Sequence, residues 1–151
     1  HGLDRIQFLV ATNPGAPPGP IGKIASGGEL SRFLLALKVT LAERGGAPTM
    51  IFDEVDSGVG GATAAAVGER LGQLAQSRQV LVVTHSPQVA ALGRSHWRVA
   101  KGESAGAMIT AVDALDDVER LEEIARMLSG ANVTEEARAA ARRLLQGSDA
   151  A

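Results

Sequence analysis

The chain has 151 residues, of which 45% are hydrophobic and 21% are charged, and its formal net charge is −2. This length suits one domain with its own core, and the charge balance gives no electrostatic footprint for nucleic acid. The absence of cysteine excludes disulfides and thiolate zinc sites. Every apolar stretch is far shorter than the roughly 20 residues of a membrane span, so we expect a cytoplasmic protein.

The first part of the chain predicts a strand, a loop and a helix, in that order. Residues 6–11 are β-prone and stop at a Thr-Asn-Pro-Gly turn signal. The proline-rich stretch at residues 15–22 is typical of a loop. From Leu30 onward, apolar residues recur at helical spacing. We therefore expect a helix that begins at residues 26–28 and ends at the glycine pair 45–46.

The middle of the chain predicts a strand, helix, strand unit followed by a hairpin. Residues 50–52 and 80–83 are short, nearly all-apolar runs, which indicate strands covered on both faces of a parallel sheet. Residues 62–76 between them have apolar positions at helical spacing, so a right-handed crossover is expected. Two alternating runs then predict an antiparallel hairpin at the sheet edge, with its turn at Lys101-Gly102-Glu103. These runs are residues 97–99 and 108–112.

Two helices are predicted at the end of the chain. Asp116 and Glu119 have capping-box spacing, so the first helix begins there and ends at Gly130. Thr134 is placed to cap the second helix, over residues 135–146. Together these elements predict one α/β domain spanning the whole chain, with a mostly parallel core sheet flanked by helices and an antiparallel edge.

A polar segment at the predicted start of the first long helix is a candidate anion site. Ser26, Gly27 and Gly28 stand where unpaired N–H groups and the helix dipole attract a phosphate, and glycine allows close approach. The alternative needs no ligand, because Ser26 and Glu29 can simply form a capping box.

Two further candidates follow the two apolar strands. Asp53 and Glu54 end the first strand, and adjacent residues there point to opposite faces, so one carboxylate could reach a metal and the other a water. The alternative is an acidic turn continued by residues 56–58. His85 ends the second strand, where an imidazole can donate to a phosphate oxygen, although a solitary histidine there is often structural. If the strands are neighbours, these side chains lie at the same sheet edge.

One segment superficially matches a phosphate-binding loop and fails on physical grounds. Residues 17–24 approximate G-x-x-x-x-G-K-[ST] between a strand and a helix. However, Pro17 replaces the first glycine, the prolines remove N–H donors, and Ile24 cannot bind Mg²⁺. The chain therefore lacks that loop, and its start at His1-Gly2 without an initiator Met predicts a fragment boundary.

Taken together, three segments resemble motifs of ABC-type ATPase heads, and in particular of the SMC-like branch that includes bacterial DNA-repair proteins. The signature motif is Ser-Gly-Gly-Glu-Leu-Ser-Arg (26–32), Walker B with the D-loop is Ile-Phe-Asp-Glu-Val-Asp-Ser-Gly-Val-Gly-Gly (51–61), and the H-loop is Val-Val-Thr-His-Ser-Pro-Gln-Val-Ala (82–90). The resemblance runs from about residue 8 to residue 128. Glu29 stands where membrane transporters usually have Gln, which agrees with the SMC-like branch.

This resemblance implies that the chain is the C-terminal half of a head whose N-terminal half, with the Walker A loop, lies before a long coiled-coil insertion. Such a head binds ATP and Mg²⁺. By the same likeness, Asp53 would support Mg²⁺ through water, Glu54 would polarise the attacking water, and His85 would contact the γ-phosphate. The isolated chain would then be inactive.

The resemblance also implies partners. ATP bound to a second head would be contacted by Ser26, Gly27, Gly28 and Glu29, with Asp56 crossing the same interface, so two heads would form an ATP-dependent homodimer. The full-length protein would act on DNA in recombinational double-strand break repair, at the nucleoid and with other recombination proteins. Two alternatives stay open: a non-catalytic interaction module with the same fold, and half a head of another SMC-like or RecF-like ATPase.

Overall fold

The structure, a computed structural model, describes residues 2, 7–11, 14–24, 30, 33, 36–37, 40, 47–104 and 107–148. In chain order the elements are β1 (Leu9–Val10), β2 (Gly19–Pro20), α1 (Ile21–Ile24), β3 (Thr49–Asp53), α2 (Gly61–Leu74), β4 (Gln79–Val83), α3 (Pro87–Ala91), β5 (Trp97–Ser104), β6 (Ala107–Ala114), α4 (Asp117–Ser129) and α5 (Glu135–Ser148). The described strands form three two-stranded sheets.

The predicted N-terminal strand is present but short, and the loop predicted over residues 15–22 is confirmed for residues 15–18 and wrong for residues 19–22. β1 pairs antiparallel with β2, with Leu9 opposite Pro20, and the Ile21 N–H donates to the Phe8 carbonyl at 3.1 Å. Strand β2 and the start of helix α1 therefore occupy the second half of the segment that the prolines and glycines led us to read as irregular. Proline is compatible with an edge strand because its missing donor faces away from the partner.

The described part of the predicted first long helix is helical. Leu30, Phe33, Ala36, Leu37 and Thr40 all have helical conformation. The rings of Phe8 and Phe33 meet edge to face, with centroids 5.9 Å apart, so Phe33 packs against the residue that directly precedes β1. Its predicted start at residues 26–28 and its predicted end lie outside the described residues.

The central parallel pair is confirmed. Strands β3 and β4 pair in parallel from Thr49 opposite Gln79 to Asp53 opposite Val83, and α2 connects them. Helix α2 covers one face of this pair. The buried core there consists of Phe52, Ala64, Val67, Leu71, Leu74 and Val89.

We expected both faces of this pair to be covered, but the described residues cover only one of them. Ile51 is 71% exposed and Val83 is 55% exposed. Successive strand residues point to opposite faces, so these side chains mark the face away from Phe52 and α2. The nearly all-apolar sequence suits a strand that is covered on both faces, yet within the described part of the chain the cover lies on the α2 face.

Beyond its first residue, helix α2 contains two glycines in different surroundings, which gives a matched prediction. A Cβ at Gly68 would lie 2.6 Å from Leu92 Cδ1 and 3.3 Å from the Val89 Cα, whereas a Cβ at Gly72 would meet nothing within 4 Å. We expect Gly72→Ala to raise the free energy of unfolding by about 0.5–1 kcal/mol through helix propensity. Gly68→Ala should lose that gain to the close contact with α3. Urea unfolding of both variants measures this, and equal gains would contradict it.

The predicted antiparallel hairpin is confirmed, but its turn lies further along the chain. Trp97 pairs with Ala114 and Ser104 with Ala107, so the predicted turn at residues 101–103 was wrong and those residues belong to β5. In the described residues the hairpin forms a sheet of its own instead of extending the β3–β4 pair.

Both C-terminal helices begin as predicted. The Glu119 N–H donates to Asp116 Oδ1 at 2.8 Å and the Asp116 N–H donates to Glu119 Oε2 at 3.0 Å, which completes the capping box of α4. Gly130, with φ of +79°, ends that helix. The Ala137 N–H donates to Thr134 Oγ1 at 3.3 Å at the start of α5.

Helices α4 and α5 form a second core together with α3. Its buried members are Ala91, Ile124, Ala125, Ala137 and Ala141. Arg138 links the two helices through Glu122 at 2.7 Å. A hydrogen bond from Arg126 lowers the pKa of Glu123.

Within the described ranges, no helix combines the length and apolar character that a membrane span requires.

Candidate functional site

The two predicted polar strand ends lie side by side. Asp53, the last residue of β3, is the partner of Val83, the last residue of β4, and the Glu54 N–H donates to the Val83 carbonyl at 3.0 Å. Because the strands are parallel and neighbours, the carboxylate pair and His85 leave the sheet at the same edge. Asp53, Glu54 and His85 are all exposed there. This is the edge of an open α/β sheet at which ligands bind.

The backbone turns sharply immediately after β3. Glu54 has φ of +48°, in the left-handed region that residues with a Cβ rarely adopt. The Ser57 N–H donates to the Glu54 carbonyl at 3.0 Å and the Val59 N–H donates to the Asp56 carbonyl at 3.1 Å, so the turn is held by its own hydrogen bonds. A conformation of this kind costs about 1–3 kcal/mol and is concentrated at functional sites. The strain makes Glu54 a stronger candidate than its sequence context alone.

Asp56 lies in the turn after β3, and its predicted contact with a second head stays a prediction. Within this chain its side chain is fully buried, at 0% exposure. Oδ2 accepts hydrogen bonds from the Thr84 hydroxyl and, at 3.2 Å, from the Ser86 N–H. The side chain turns inward because the tight turn directs it under the loop after β4. Asp56 therefore joins the two loops within this chain.

His85 lies between two residues that this network holds. The Ser86 N–H also donates to Thr84 Oγ1 at 2.9 Å, and Ser86 is buried at the start of α3. His85 itself is exposed. The sequence reasoning gave no role to Thr84 or Ser86. A signal was present, since polar residues flank the histidine directly after an apolar strand.

The edge suits a magnesium ion that is held mainly by phosphate and water. Among the described residues, no three histidine or carboxylate side chains are grouped to hold a metal ion. Mg²⁺ commonly binds through one or two carboxylates plus substrate phosphates and water, so an exposed Asp53 fits that role. The predicted phosphate-binding residues Ser26, Gly27, Gly28 and Glu29 lie outside the described residues.

Comparisons with known proteins point to one group of relatives. No protein-family model matches the chain. The chain is 55% identical over 146 residues to the DNA repair protein RecN of Xylella fastidiosa (strain 9a5c). It is 51% identical over 144 residues to RecN of Vibrio cholerae serotype O1 and 45% identical over 145 residues to RecN of Halalkalibacterium halodurans. These matches cover 95–97% of this chain and 26% of each relative, so the chain spans about a quarter of their length.

A solved structure shares the fold. The chain aligns with a TM-score of 0.60 and 18% identity to a chain from work on ATP-driven dimerization and DNA-stimulated activation of SMC ATPases. The alignment covers 82% of this chain and 81% of that one. The likeness confirms the predicted α/β fold class.

Proposed function

We propose that this chain, which is homologous to a segment of the DNA repair protein RecN, is a single domain forming the C-terminal half of an ATP-binding and hydrolysing head. One observation carries the proposal: in an SMC-ATPase-type fold, the ends of β3 and β4 bring an exposed carboxylate pair and an exposed histidine to one sheet edge. The strained backbone at Glu54 supports a functional use of that edge.

Each residue at this edge receives one task in the proposed reaction. When bound, Mg²⁺ and ATP supply a polarised terminal phosphoryl group. Asp53 would hold the ion through water, Glu54 would orient and polarise the attacking water, and His85 would donate to an oxygen of the γ-phosphate. These tasks suit the side chains, because carboxylates attract a hard cation or a water proton and an imidazole N–H stabilises developing negative charge.

The proposed head is incomplete in this chain. The sequence contains no loop able to grip the β- and γ-phosphates, since the nearest match carries prolines where N–H donors are required. Ile51 is 71% exposed on the second face of the β3–β4 pair, which supports the proposal that another part of the head packs against this face. We assign both the phosphate-binding loop and the cover to the N-terminal half of the same head, in the rest of the longer protein.

Two such heads would close on ATP. Ser26, Gly27, Gly28 and Glu29 would bind the nucleotide held by the other head, forming a homodimer that hydrolysis then releases. In the full-length protein this cycle would act on DNA in recombinational double-strand break repair, together with other recombination proteins. The similarity to the DNA repair protein RecN and the shared fold with an SMC ATPase that dimerises on ATP support this part of the proposal.

A nucleotide-binding assay tests whether the ATP site is split, that is, built from this chain and from the preceding half of the same head. We expect this chain alone to show no ATP binding at micromolar concentrations, and the chain co-expressed with the preceding half of the head to bind ATP, because the phosphate grip belongs to the other half. Isothermal titration of both samples with ATP and Mg²⁺ measures the difference. Micromolar binding by the isolated chain would contradict the split site. A full-length protein that neither binds nor hydrolyses ATP would favour a non-catalytic interaction module.

A further inference from the structure

A buried hydrogen-bond network connects the loops after β3 and β4. The Asp56 carboxylate is fully buried and bonds to residues on both sides of His85, namely the Thr84 hydroxyl and the Ser86 N–H. Asp56 also belongs to the turn that begins at Glu54, since its carbonyl accepts from the Val59 N–H at 3.1 Å. One side chain therefore links the turn that presents Glu54 to the loop that presents His85.

The Thr84 hydroxyl is the central member of this network. It donates to Asp56 Oδ2 and accepts from the Ser86 N–H at 2.9 Å, so it uses both its donor and its acceptor capacity. A buried carboxylate is unfavourable unless hydrogen bonds stabilise it, and bonds to an ionised oxygen are the strong ones. Among the described residues Asp56 Oδ1 has no hydrogen-bond partner, so the buried carboxylate is stabilised by the two hydrogen bonds at Oδ2.

We propose that Thr84 is a positioning residue whose hydroxyl, through Asp56, fixes His85 relative to the turn that carries Glu54. This inference rests on the proposed ATP hydrolysis and adds a residue to it. Thr84 contacts no reacting atom in this scheme. Removal of the Thr84 hydroxyl shifts the position of His85. A displacement of a catalytic group by about 1 Å can slow a reaction on the order of 100-fold.

The test uses the full-length protein and three variants. Thr84→Val has nearly the same shape without the hydroxyl, Thr84→Ser keeps the hydroxyl, and Thr110→Val removes a hydroxyl from an exposed position of β6 as a control. We expect Thr84→Val to lower kcat for ATP about tenfold or more, in line with misplacement of a catalytic group, and to change KM less than about twofold. Thr84→Ser keeps the hydroxyl and should have a kcat close to that of the wild type. Thr110→Val should also hydrolyse ATP at the wild-type rate.

A double-mutant cycle with His85→Ala separates positioning from general damage. If Thr84 acts through His85, Thr84→Val causes no further loss of kcat in the His85→Ala protein. An equal loss in both backgrounds would overturn the inference, and so would a Thr84→Val protein that no longer folds, because either result assigns the network to the fold itself.

The inference and the proposed function fail in different ways. A wild-type protein that hydrolyses ATP and a Thr84→Val protein that matches it would overturn the inference and leave the proposed function intact. A wild-type protein without ATPase activity would overturn both.

Discussion

Glu54→Gln in the full-length protein is expected to lower the rate of ATP hydrolysis by about 10²–10⁴-fold, the usual contribution of a general base. Glutamine keeps the size of the side chain but removes the negative charge that attracts a proton of the attacking water. Glu54 directly follows β3, is exposed and has a strained backbone conformation, so the loss of its charge should not disturb the core. ATP affinity should change less than about twofold, because the phosphate grip is assigned elsewhere.

A steady-state phosphate-release assay and a nucleotide-binding titration on the same protein measure these two quantities. Glu69→Gln is the matched control, since Glu69 is an exposed glutamate on α2 and has no part in the proposed site. It should hydrolyse ATP like the wild type. Retained hydrolysis in Glu54→Gln would remove Glu54 from the proposed role, whereas a loss of ATP binding would show that the substitution disturbs more than the water.

Phe52→Ala is expected to lower the free energy of unfolding of this chain by about 3–5 kcal/mol. Phe52 is 1% exposed and lies in the core between the β3–β4 pair and α2, with Val67 and Leu71 in the same cluster. Removal of the ring loses the burial of a large apolar surface and leaves a cavity. A domain has about 5–15 kcal/mol of stability in total, so this one change would consume a large share.

The neighbouring residue of the same strand provides the control for that measurement. Ile51 is 71% exposed on the opposite face, so Ile51→Ala should cost less than about 1 kcal/mol in this chain. Urea unfolding followed by circular dichroism gives both values. Similar losses for the two variants would mean that the ring of Phe52 is not the anchor of this sheet.

Local sequence patterns were sufficient for the elements that position the site. The apolar runs predicted β3 and β4, helical spacing predicted α2, and the pair Asp116 and Glu119 predicted the start of α4. Each of these patterns is local, because the buried face or the helix cap is set by residues a few positions apart. The adjacency of the carboxylate pair and His85 followed from one further rule, that parallel strands joined by a helix tend to be neighbours.

Patterns failed where the outcome depended on partners distant in sequence. Residues 101–103 read as a turn, yet the pairing of β5 with β6 continues through them. The second face of the β3–β4 pair read as covered, yet its cover is not supplied by the described chain, since Ile51 and Val83 stay exposed.

The sequence by itself determined which strand ends carry the acidic and imidazole groups, and therefore where the chemistry could lie. Only the tertiary structure decided that Asp56 turns inward and that Thr84 joins it to the histidine loop. The physical reason is that these contacts join residues 28 and 30 positions apart, and their geometry depends on the left-handed turn at Glu54. No local periodicity records such a turn, because a polar residue after a strand is equally compatible with an exposed or a buried side chain.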